Sequence, residues 1–421
     1  MEEETGKTPL TGPHGKGPLA GVRILALEQM QALPFATQLL GHLGAEVVKV
    51  EHPTTGDSGR GALPALEDID GRRVGATYLR NALNKKSLAI DLKNPEGAAL
   101  VKRLVPRFDV VGENFKPGVM ARLGLAYEDL APLHPGLVYV SVSGFGNLLD
   151  SPYGSWAAYA PIAEAMGGIY EYSRQADEAP RVGPAGALGD IGTSLFATIG
   201  LLAALRDRDR TGQGQYVDVA MFDAMIAMAD IPPCFWSMGV RERRRVPGVF
   251  DSFAAKDGYF VVQAVREHHL ELFAKAVGHP EWIGDSRFAT REGWRDHLES
   301  VVRPAVESWA ATRTKLEATR ELAERGIAAG PCFDTEDLIE DPHVREHNML
   351  LRVPRPDSPD PLLLVGNPIK LSAHPHEPPR RWPTLGEHTE EVLQTELGLR
   401  DADLADLRSR GAIGGKSGVS E

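Results

Sequence analysis

The sequence predicts an α/β protein whose larger part is an open, doubly wound parallel sheet. Three observations predict this fold class. Apolar segments of strand length alternate with helical segments, and the strand–helix–strand order recurs along the chain. The composition, 42% hydrophobic and 25% charged, is typical of a globular chain. The length of 421 residues exceeds one ordinary domain of roughly 100–200 residues, so we expect two domains.

The first elements form a βαβ unit. Residues 22–27 are a short apolar strand, Pro34 stands where a helix begins, and residues 35–43 continue that helix until Gly44 ends it. Residues 47–50 are the next strand. Because a strand, a helix and a strand within about 30 residues pair in parallel, this unit predicts a parallel sheet.

The same alternation continues further along the chain. Residues 88–92 form a strand, and Asn94 caps a helix that reaches residue 107. Strands follow at residues 109–111 and 137–142. A long apolar helix then runs from residue 191 to about residue 206.

Ligands of open parallel sheets gather at the carboxyl ends of the strands. Here those ends carry Gln31 and Ala32, then Asn114 and Phe115, and then residues 143–145. Each loop taken alone is explained by turn formation, but polar and aromatic residues at successive strand ends also indicate a ligand site. The turn after the first strand has no GxGxxG glycines and no Walker lysine motif follows any strand, so the sequence argues against dinucleotide binding.

Asp190 follows a glycine-rich turn and precedes the long apolar helix. Spacing alone favours a helix N-cap. The same position also suits a nucleophile, because the helix dipole stabilises an ionised carboxylate there. The sequence leaves both interpretations open.

After residue 222 the pattern of predicted strands and helices changes. Residues 223–329 predict a second domain of mixed α and β character, with a hairpin around residues 254–262. Residues 330–410 bring a strand at 362–365 and a last helix near 389–397. Residues 1–17 and 411–421 are polar and rich in glycine, and we expect mobile tails there.

Composition excludes several classes of function. The formal charge of −12 argues against nucleic acid or an anionic membrane as a partner. The longest apolar run, residues 195–205, is shorter than the about 20 residues of a bilayer span, and no signal peptide is apparent, so we expect a cytoplasmic protein. No metal-ligand spacing occurs, and Cys234 and Cys332 lie in apolar segments where buried, inert thiols are expected.

A series of motifs between residue 18 and about residue 400 resembles family III CoA-transferases, the group of formyl-CoA and carnitine CoA-transferases. The motifs are residues 19–51, Gly56-Asp57, Asn84-Lys85-Lys86-Ser87, Glu113-Asn114-Phe115, Ser143-Gly144-Phe145-Gly146, Gly189-Asp190, residues 212–221, Asp257-Gly258-Tyr259 and Gly386-Glu387-His388-Thr389. Each motif alone is weak, but their order and spacing together are specific.

The resemblance implies a fold and an assembly. It implies a large Rossmann-like domain built from residues 18–222 and 330–410, with a smaller α+β domain at 223–329. It also implies an interlocked homodimer, in which two ring-shaped chains are threaded through each other.

The resemblance further implies a reaction. The aspartate that matches Asp190 would attack an acyl-CoA thioester and pass CoA to a carboxylic acid through anhydride and aspartyl-CoA intermediates. Backbone N–H groups near Gly189 would stabilise the oxyanions. No tightly bound cofactor and no metal is implied, only CoA thioesters as substrates. The implied CoA contacts are Gln31, Ala32, Ile90, Lys93, Asn114, Phe115, Arg122, Ser143 and Phe145.

Some positions depart from the family pattern. His52 stands where formyl-CoA transferase has an arginine, and Ser143 where it has a lysine, so the phosphate contacts must differ. The glycine-rich loop that covers oxalate has no counterpart near residues 245–256, which makes oxalate a doubtful acceptor.

Two alternatives remain from the sequence. The α-methylacyl-CoA racemase branch uses a histidine in a Gly-His-Asp segment, which here reads Gly154-Ser155-Trp156, so a base is missing and racemisation is disfavoured. A non-catalytic acyl-CoA-binding protein would not need Asp190. The sequence does not identify the acyl donor or the acceptor acid.

Overall fold

The computed structural model describes residues 17–174, 178–183, 187–241, 246–374 and 381–414. The expected tails at residues 1–16 and 415–421 lie outside these ranges, as do residues 184–186 of the turn before Asp190. The chain divides into two compact units. One consists of Met1–Pro233 and His347–Glu421, and the other of Cys234–Glu346.

The strands, in chain order, are β1 Arg23–Leu27, β2 Glu46–Glu51, β3 Ala65–Glu67, β4 Arg73–Gly75, β5 Lys86–Ala89, β6 Val110–Glu113, β7 Val138–Ser143, β8 Tyr216–Ala220, β9 Val249–Ala255, β10 Gly258–Ala264, β11 Ala328–Pro331, β12 Leu350–Arg355 and β13 Ser358–Val365.

The helices are α1 Ala32–His42, α2 Ala76–Leu79, α3 Pro95–Leu104, α4 Val119–Arg122, α5 Tyr127–Leu130, α6 Ala160–Met166, α7 Ile169–Ser173, α8 Leu188–Thr211, α9 Met221–Ala229, α10 Ile231–Ser237, α11 Glu267–Ala276, α12 Arg291–Asp296, α13 Arg303–Ala310, α14 Lys315–Ala323, α15 Thr335–Glu340, α16 Pro342–Glu346, α17 Thr389–Leu397 and α18 Asp401–Ser409.

The centre of the first unit is a six-stranded sheet in the order β5-β2-β1-β6-β7-β8. Every neighbouring pair is parallel; Leu25 of β1, for example, is in register with Val48 of β2 on one side and Val111 of β6 on the other. The predicted parallel sheet is therefore confirmed. Asn94 accepts a hydrogen bond from the Glu96 N–H at 3.0 Å, which is the predicted cap of α3.

Side chains of the sheet alternate between two buried layers, as the period of two along a strand requires. Leu25 and Leu27 pack with α3, α17 and α18 on one face, and Ile24 and Ala26 pack with α1, α6, α8 and α9 on the other. Helices thus cover both faces of the sheet, which is the doubly wound arrangement. The helices of residues 389–409 complete a core that begins at residue 23.

The second unit has its own three-stranded antiparallel sheet, β11-β10-β9, and its own core around Phe253 and Phe260. The predicted hairpin is the pair β9 and β10. The units change over at residues 233/234 and 346/347, later than the boundaries predicted from the sequence. One physical reason is that β11 continues to Pro331, which pairs with Phe260.

Three expectations about the chain after residue 180 need correction. The long apolar helix is α8, which begins at Leu188 and ends at Thr211, so Asp190 is its third residue and not its cap. The last helix is α18, because Asp401 starts a new helix after the glycine turn at Gly398. Residues 411–414 are not a free tail, since Ile413 is buried and bridges Ile90.

Among the described residues, one helix is long and apolar enough to cross a membrane by length and composition, and it is α8. Half of its most apolar window is buried inside the protein. Ala197 and Leu201 of this helix belong to the core beneath the sheet. A core helix of a globular domain accounts for this pattern.

Candidate active site

The carboxyl ends of β1 and β6, which are neighbours in the sheet, are joined by side-chain hydrogen bonds. The Gln29 N–H donates to Asn114 Oδ1 at 2.8 Å, and Asn114 Nδ2 donates back to the Gln29 carbonyl at 2.9 Å. Asn114 therefore holds the turn that presents Gln31 and Ala32. Phe115 follows Asn114 and is half-buried, and its N–H donates to Glu113 Oε2 at 2.8 Å.

The start of α1 lies against the first turns of α8. Ser194 Oγ is within hydrogen-bond distance of the Ala32 carbonyl oxygen, and it lies 2.7 Å from the Asp190 carbonyl oxygen. On another side of α8, Gly189 allows α6 to approach closely, because a Cβ there would lie 2.9 Å from the Ala160 backbone. Ser194, one turn after Asp190, thus ties the first turns of α8 to Ala32 at the start of α1.

The Asp190 carboxyl group is half-buried in the first turn of α8. Burial raises the pKa of Asp190 to about 6; the positive charge of Arg80 lowers this pKa and the negative charge of Glu164 raises it. The helix dipole favours the ionised form at this position. Asp190 is ionised above about pH 6, where its carboxylate can act as a nucleophile.

Glu164 on α6 is a neighbour of Asp190 that sequence reasoning missed. Its side chain is buried, Oε1 accepts the Gly189 N–H at 2.8 Å, and Oε2 accepts a hydrogen bond from the Tyr170 hydroxyl. The Gly189 N–H is therefore already occupied in this structure. Glu164 therefore competes for this one donor. That backbone N–H groups near Gly189 and in the glycine-rich turns stabilise oxyanions stays a prediction.

Arg80 is the second residue that sequence reasoning missed. It is exposed, caps the end of α2, and donates a hydrogen bond to Gln31 Oε1. Burial lowers the pKa of Arg80, and the charge of Asp190 opposes that shift. The available signal was a single arginine in the otherwise uncharged segment 74–84.

Ser143 is the last residue of β7, the strand next to β6, and Phe145 lies in the loop that follows. Ser143 Oγ accepts the Gly146 N–H at 2.9 Å, which shapes the loop. Phe145 is nearly buried and its ring centroid lies 5.6 Å from that of Tyr153 and 6.5 Å from that of Trp156. The segment that reads Gly-His-Asp in racemases thus carries an indole near Phe145.

The remaining predicted CoA contacts are more dispersed. Ile90 is fully buried and its side chain belongs to the core, while its contact with CoA stays a prediction. Lys93 is exposed in the loop that follows β5. Arg122 is exposed at the end of α4, with Nη1 folded back towards Gly118 in the loop after β6. Since β5 and β6 are three strands apart, these cations flank about 14 Å of the sheet edge.

A buried ionic network supports the turn after β1. Lys85 Nζ lies 2.7 Å from Glu28 Oε1, and Lys49 Nζ lies 2.7 Å from Asp57 Oδ2. Asp57 Oδ1 accepts the Met30 N–H at 3.0 Å, and Met30 has a φ of 62°, in the left-handed region. The network therefore holds a backbone conformation that is unfavourable for methionine, directly before Gln31.

The structure also bears on two minor expectations. Cys234 and Cys332 are exposed, not buried, which corrects the prediction made from their apolar neighbours. The apolar residues around each cysteine include exposed side chains such as Trp236 and Phe333. Hydropathy alone does not distinguish an exposed apolar segment from a buried one. Within the described ranges, no three His, Cys, Asp or Glu side chains are grouped to hold a metal ion.

The fold and the strand-end site agree with a known protein family. Residues 19–389 match the model of CoA-transferase family III, and the chain belongs to that family. The predicted family is confirmed, and the protein is a CoA-transferase by descent.

Individual relatives cover nearly the whole chain. A succinyl-CoA–D-citramalate CoA-transferase from Chloroflexus aurantiacus is 37% identical over 94% of this chain and 98% of its own length. A formyl-CoA:oxalate CoA-transferase from Streptomyces avermitilis is 34% identical over 94% of this chain and 99% of its own. A CAIB/BAIF family protein from Brucella suis has a crystal structure similar to this one, with a TM-score of 0.80 and 30% identity, covering 90% of this chain and 100% of that chain.

Proposed function

We propose that this enzyme moves CoA from an acyl-CoA thioester to a carboxylic acid through covalent intermediates on Asp190. The observation that carries the proposal is the position of Asp190. It lies in the first turn of α8, and Ser194 ties this helix to the Ala32 carbonyl at the start of α1. The Gln31 side chain, just before Ala32, accepts a hydrogen bond from Arg80, whose charge acts on Asp190.

The proposed reaction has four displacements. The Asp190 carboxylate attacks the thioester carbonyl carbon, the C–S bond breaks, and a mixed anhydride and CoA thiolate form. The thiolate attacks Cγ of Asp190 and releases the donor acid, leaving an aspartyl-CoA thioester. The acceptor carboxylate then displaces the thiolate to form a second anhydride. The thiolate finally attacks the acceptor acyl carbon and restores the Asp190 carboxylate.

This sequence keeps the activation of the thioester within covalent intermediates and balances without an oxidant or a net proton. Water must be kept from the anhydride and the thioester. The aromatic rings of Phe145 and its neighbours provide apolar surface near the strand ends for that purpose.

The CoA moiety is proposed to lie along the strand-end loops, with its phosphates near Lys93 and Arg122. Two features support this placement. Both cations are exposed, and both belong to segments that follow a strand at the carboxyl edge, where ligands of parallel sheets bind.

The relatives described above are named for D-citramalate and oxalate, and both are dicarboxylic acids. We therefore propose a dicarboxylic acceptor for this enzyme.

The covalent step is tested with Asp190→Ala. Incubation of the wild type with succinyl-CoA should give a protein mass increased by one CoA minus water, and the variant should show none. Transfer should fall by several orders of magnitude. Asp209→Ala, at the exposed far end of the same helix, is the matched control and should keep full activity. An adduct on the Asp190→Ala variant, or activity within tenfold of wild type, would exclude the covalent role.

We also propose a homodimer with interlocked chains. On α8 of the single chain, Leu195 and Ile199 are 45% and 63% exposed, and Ile226 of α9 is 44% exposed. Adjacent exposed apolar side chains of this kind are typical of an interface. Light scattering after size exclusion should give about twice 45.6 kDa at every concentration down to nanomolar. A folded, active monomer on dilution would contradict the interlocked arrangement.

A further inference from the structure

Arg80 occupies a fixed position beside the proposed nucleophile. Its N–H donates to the Ala76 carbonyl at 3.1 Å, and its own carbonyl accepts a hydrogen bond from Gln38 Nε2 at 2.6 Å. Gln38 belongs to α1, so the backbone of Arg80 is anchored to the helix that starts with Ala32. The hydrogen bond to Gln31 then holds the guanidinium at the residue that precedes α1. Ser194 of α8 contacts the first residue of that helix, Ala32.

Hydrogen bonds within the protein occupy only part of the donor capacity of the Arg80 guanidinium. In the portion of the chain that is described, Arg80 donates to Gln31 and forms no ion pair. Other arginines of this unit are paired with carboxylates; Arg60 binds Glu51 at 2.7 Å, and Arg208 binds Asp109 at 2.8 Å. A guanidinium has five N–H donors in a planar fork that matches a carboxylate. Arg80 is exposed, so such a carboxylate can reach it from solution.

The charges around Asp190 make a cation necessary for an anionic substrate. Asp190 itself and the neighbouring Glu164 both repel a carboxylate that approaches, and the chain as a whole carries a formal charge of −12. Among the described residues, Arg80 is the cation whose charge acts on Asp190. The attraction is not a direct ion pair, so Asp190 does not occupy the N–H donors of the Arg80 guanidinium.

We propose that Arg80 binds the second carboxylate of a dicarboxylic substrate while the first carboxylate reacts at Asp190. The inference rests on the proposed function, and it assigns substrate selection to one side chain. Arg80 does not bind the reacting carboxylate, because a bidentate ion pair would lower the nucleophilicity of that carboxylate. The same contact serves the donor when the donor is a dicarboxylic acyl-CoA such as succinyl-CoA, since transfer is reversible.

The test compares a dicarboxylate with a monocarboxylate of the same chain length in the second half of the reaction. Wild type, Arg80→Met and Arg80→Lys are each loaded to the CoA adduct, and the adduct is isolated. It is then mixed with succinate or with butyrate at pH 8, and the rate of acyl-CoA formation is measured in a single turnover. Arg103→Met removes an exposed arginine on α3 and is the matched control.

We expect Arg80→Met to lower the second-order rate constant for succinate by about 10- to 100-fold, the range for loss of one charged hydrogen-bonded contact. The rate constant for butyrate should change less than about threefold, and Arg80→Lys should restore part of the loss for succinate. Arg103→Met should behave as wild type.

Two results would overturn the inference. Equal decreases in the rate constants for succinate and butyrate would mean that Arg80 supports the fold or Asp190 and does not bind substrate. Equal rate constants in wild type and variant would mean that Arg80 has no role in the reaction. Failure of wild type to form any CoA adduct is a distinct result, because it removes the proposed function first and the inference with it. Urea unfolding of each variant shows whether a loss comes from destabilisation.

Discussion

Ionised Asp190 should reduce the stability of the native protein, and Asp190→Asn tests this. Its pKa is about 6 in the native protein and 3.8 in the ordinary case, so the native state holds its proton more strongly than the unfolded state. The stability that this group contributes is complete below pH 3.8 and is lost as the pH rises through about 6. Replacement by the neutral, isosteric asparagine should therefore stabilise the protein at high pH.

The magnitude follows from the shift. About two pKa units at about 1.36 kcal/mol each give a ceiling of about 3 kcal/mol at pH 8. At pH 5, where the native group is largely protonated, the same calculation gives about half of that. Since Asp190 is only half-buried, solvent screening reduces both figures, and we expect about 2 kcal/mol at pH 8 and about 1 kcal/mol at pH 5.

Urea unfolding at both pH values, at one protein concentration, measures the difference between variant and wild type. Asp209→Asn, whose carboxylate is exposed, is the control and should show no pH-dependent gain. An Asp190→Asn variant that is less stable than wild type at pH 8, or whose gain is larger at pH 5 than at pH 8, would refute the assignment of a raised pKa. The variant should also lose the CoA adduct.

Three further outcomes are expected. Glu164→Gln removes a negative charge that raises the pKa of Asp190, so adduct formation should persist to lower pH than in wild type. The rate of adduct formation, measured over a series of pH values, tests this. A rate that falls at the same acidic pH in variant and wild type would contradict it. Lys85→Met leaves the buried Glu28 carboxylate partly uncompensated and should lower the free energy of unfolding in urea by about 3–5 kcal/mol. Lys86→Met, at the less buried neighbouring position, should lower it by about 1 kcal/mol. Equal losses in the two variants would show that burial is not the cause. A chiral 2-methylacyl-CoA incubated in D₂O should gain no enzyme-dependent deuterium at its α-carbon, and rapid exchange by mass spectrometry would favour the racemase alternative.

The sequence alone determined the parallel sheet and the edge at which a ligand would bind. Residues 24–27 of β1 are all apolar, and β2 carries Val47, Val48 and Val50, because both faces of a parallel sheet are covered. A helix lies between these two strands. Parallel strands all end at one edge, so Gln31, Asn114 and Ser143 could be grouped before any coordinate was known. The family motifs indicated Asp190 as the nucleophile. Residue spacing alone could not distinguish that role from the role of a helix N-cap.

Only the tertiary structure decided which groups surround Asp190. Glu164 and Arg80 are 26 and 110 residues away along the chain, yet both charges act on its carboxyl group. It also decided that Ile90 lies in the core and that the Gly189 N–H is taken by Glu164. Local patterns reach a few residues along the chain, whereas an electric field and a hydrogen bond depend on distances in space. Those distances exist only after α1, α2, α6 and α8 have packed against the sheet.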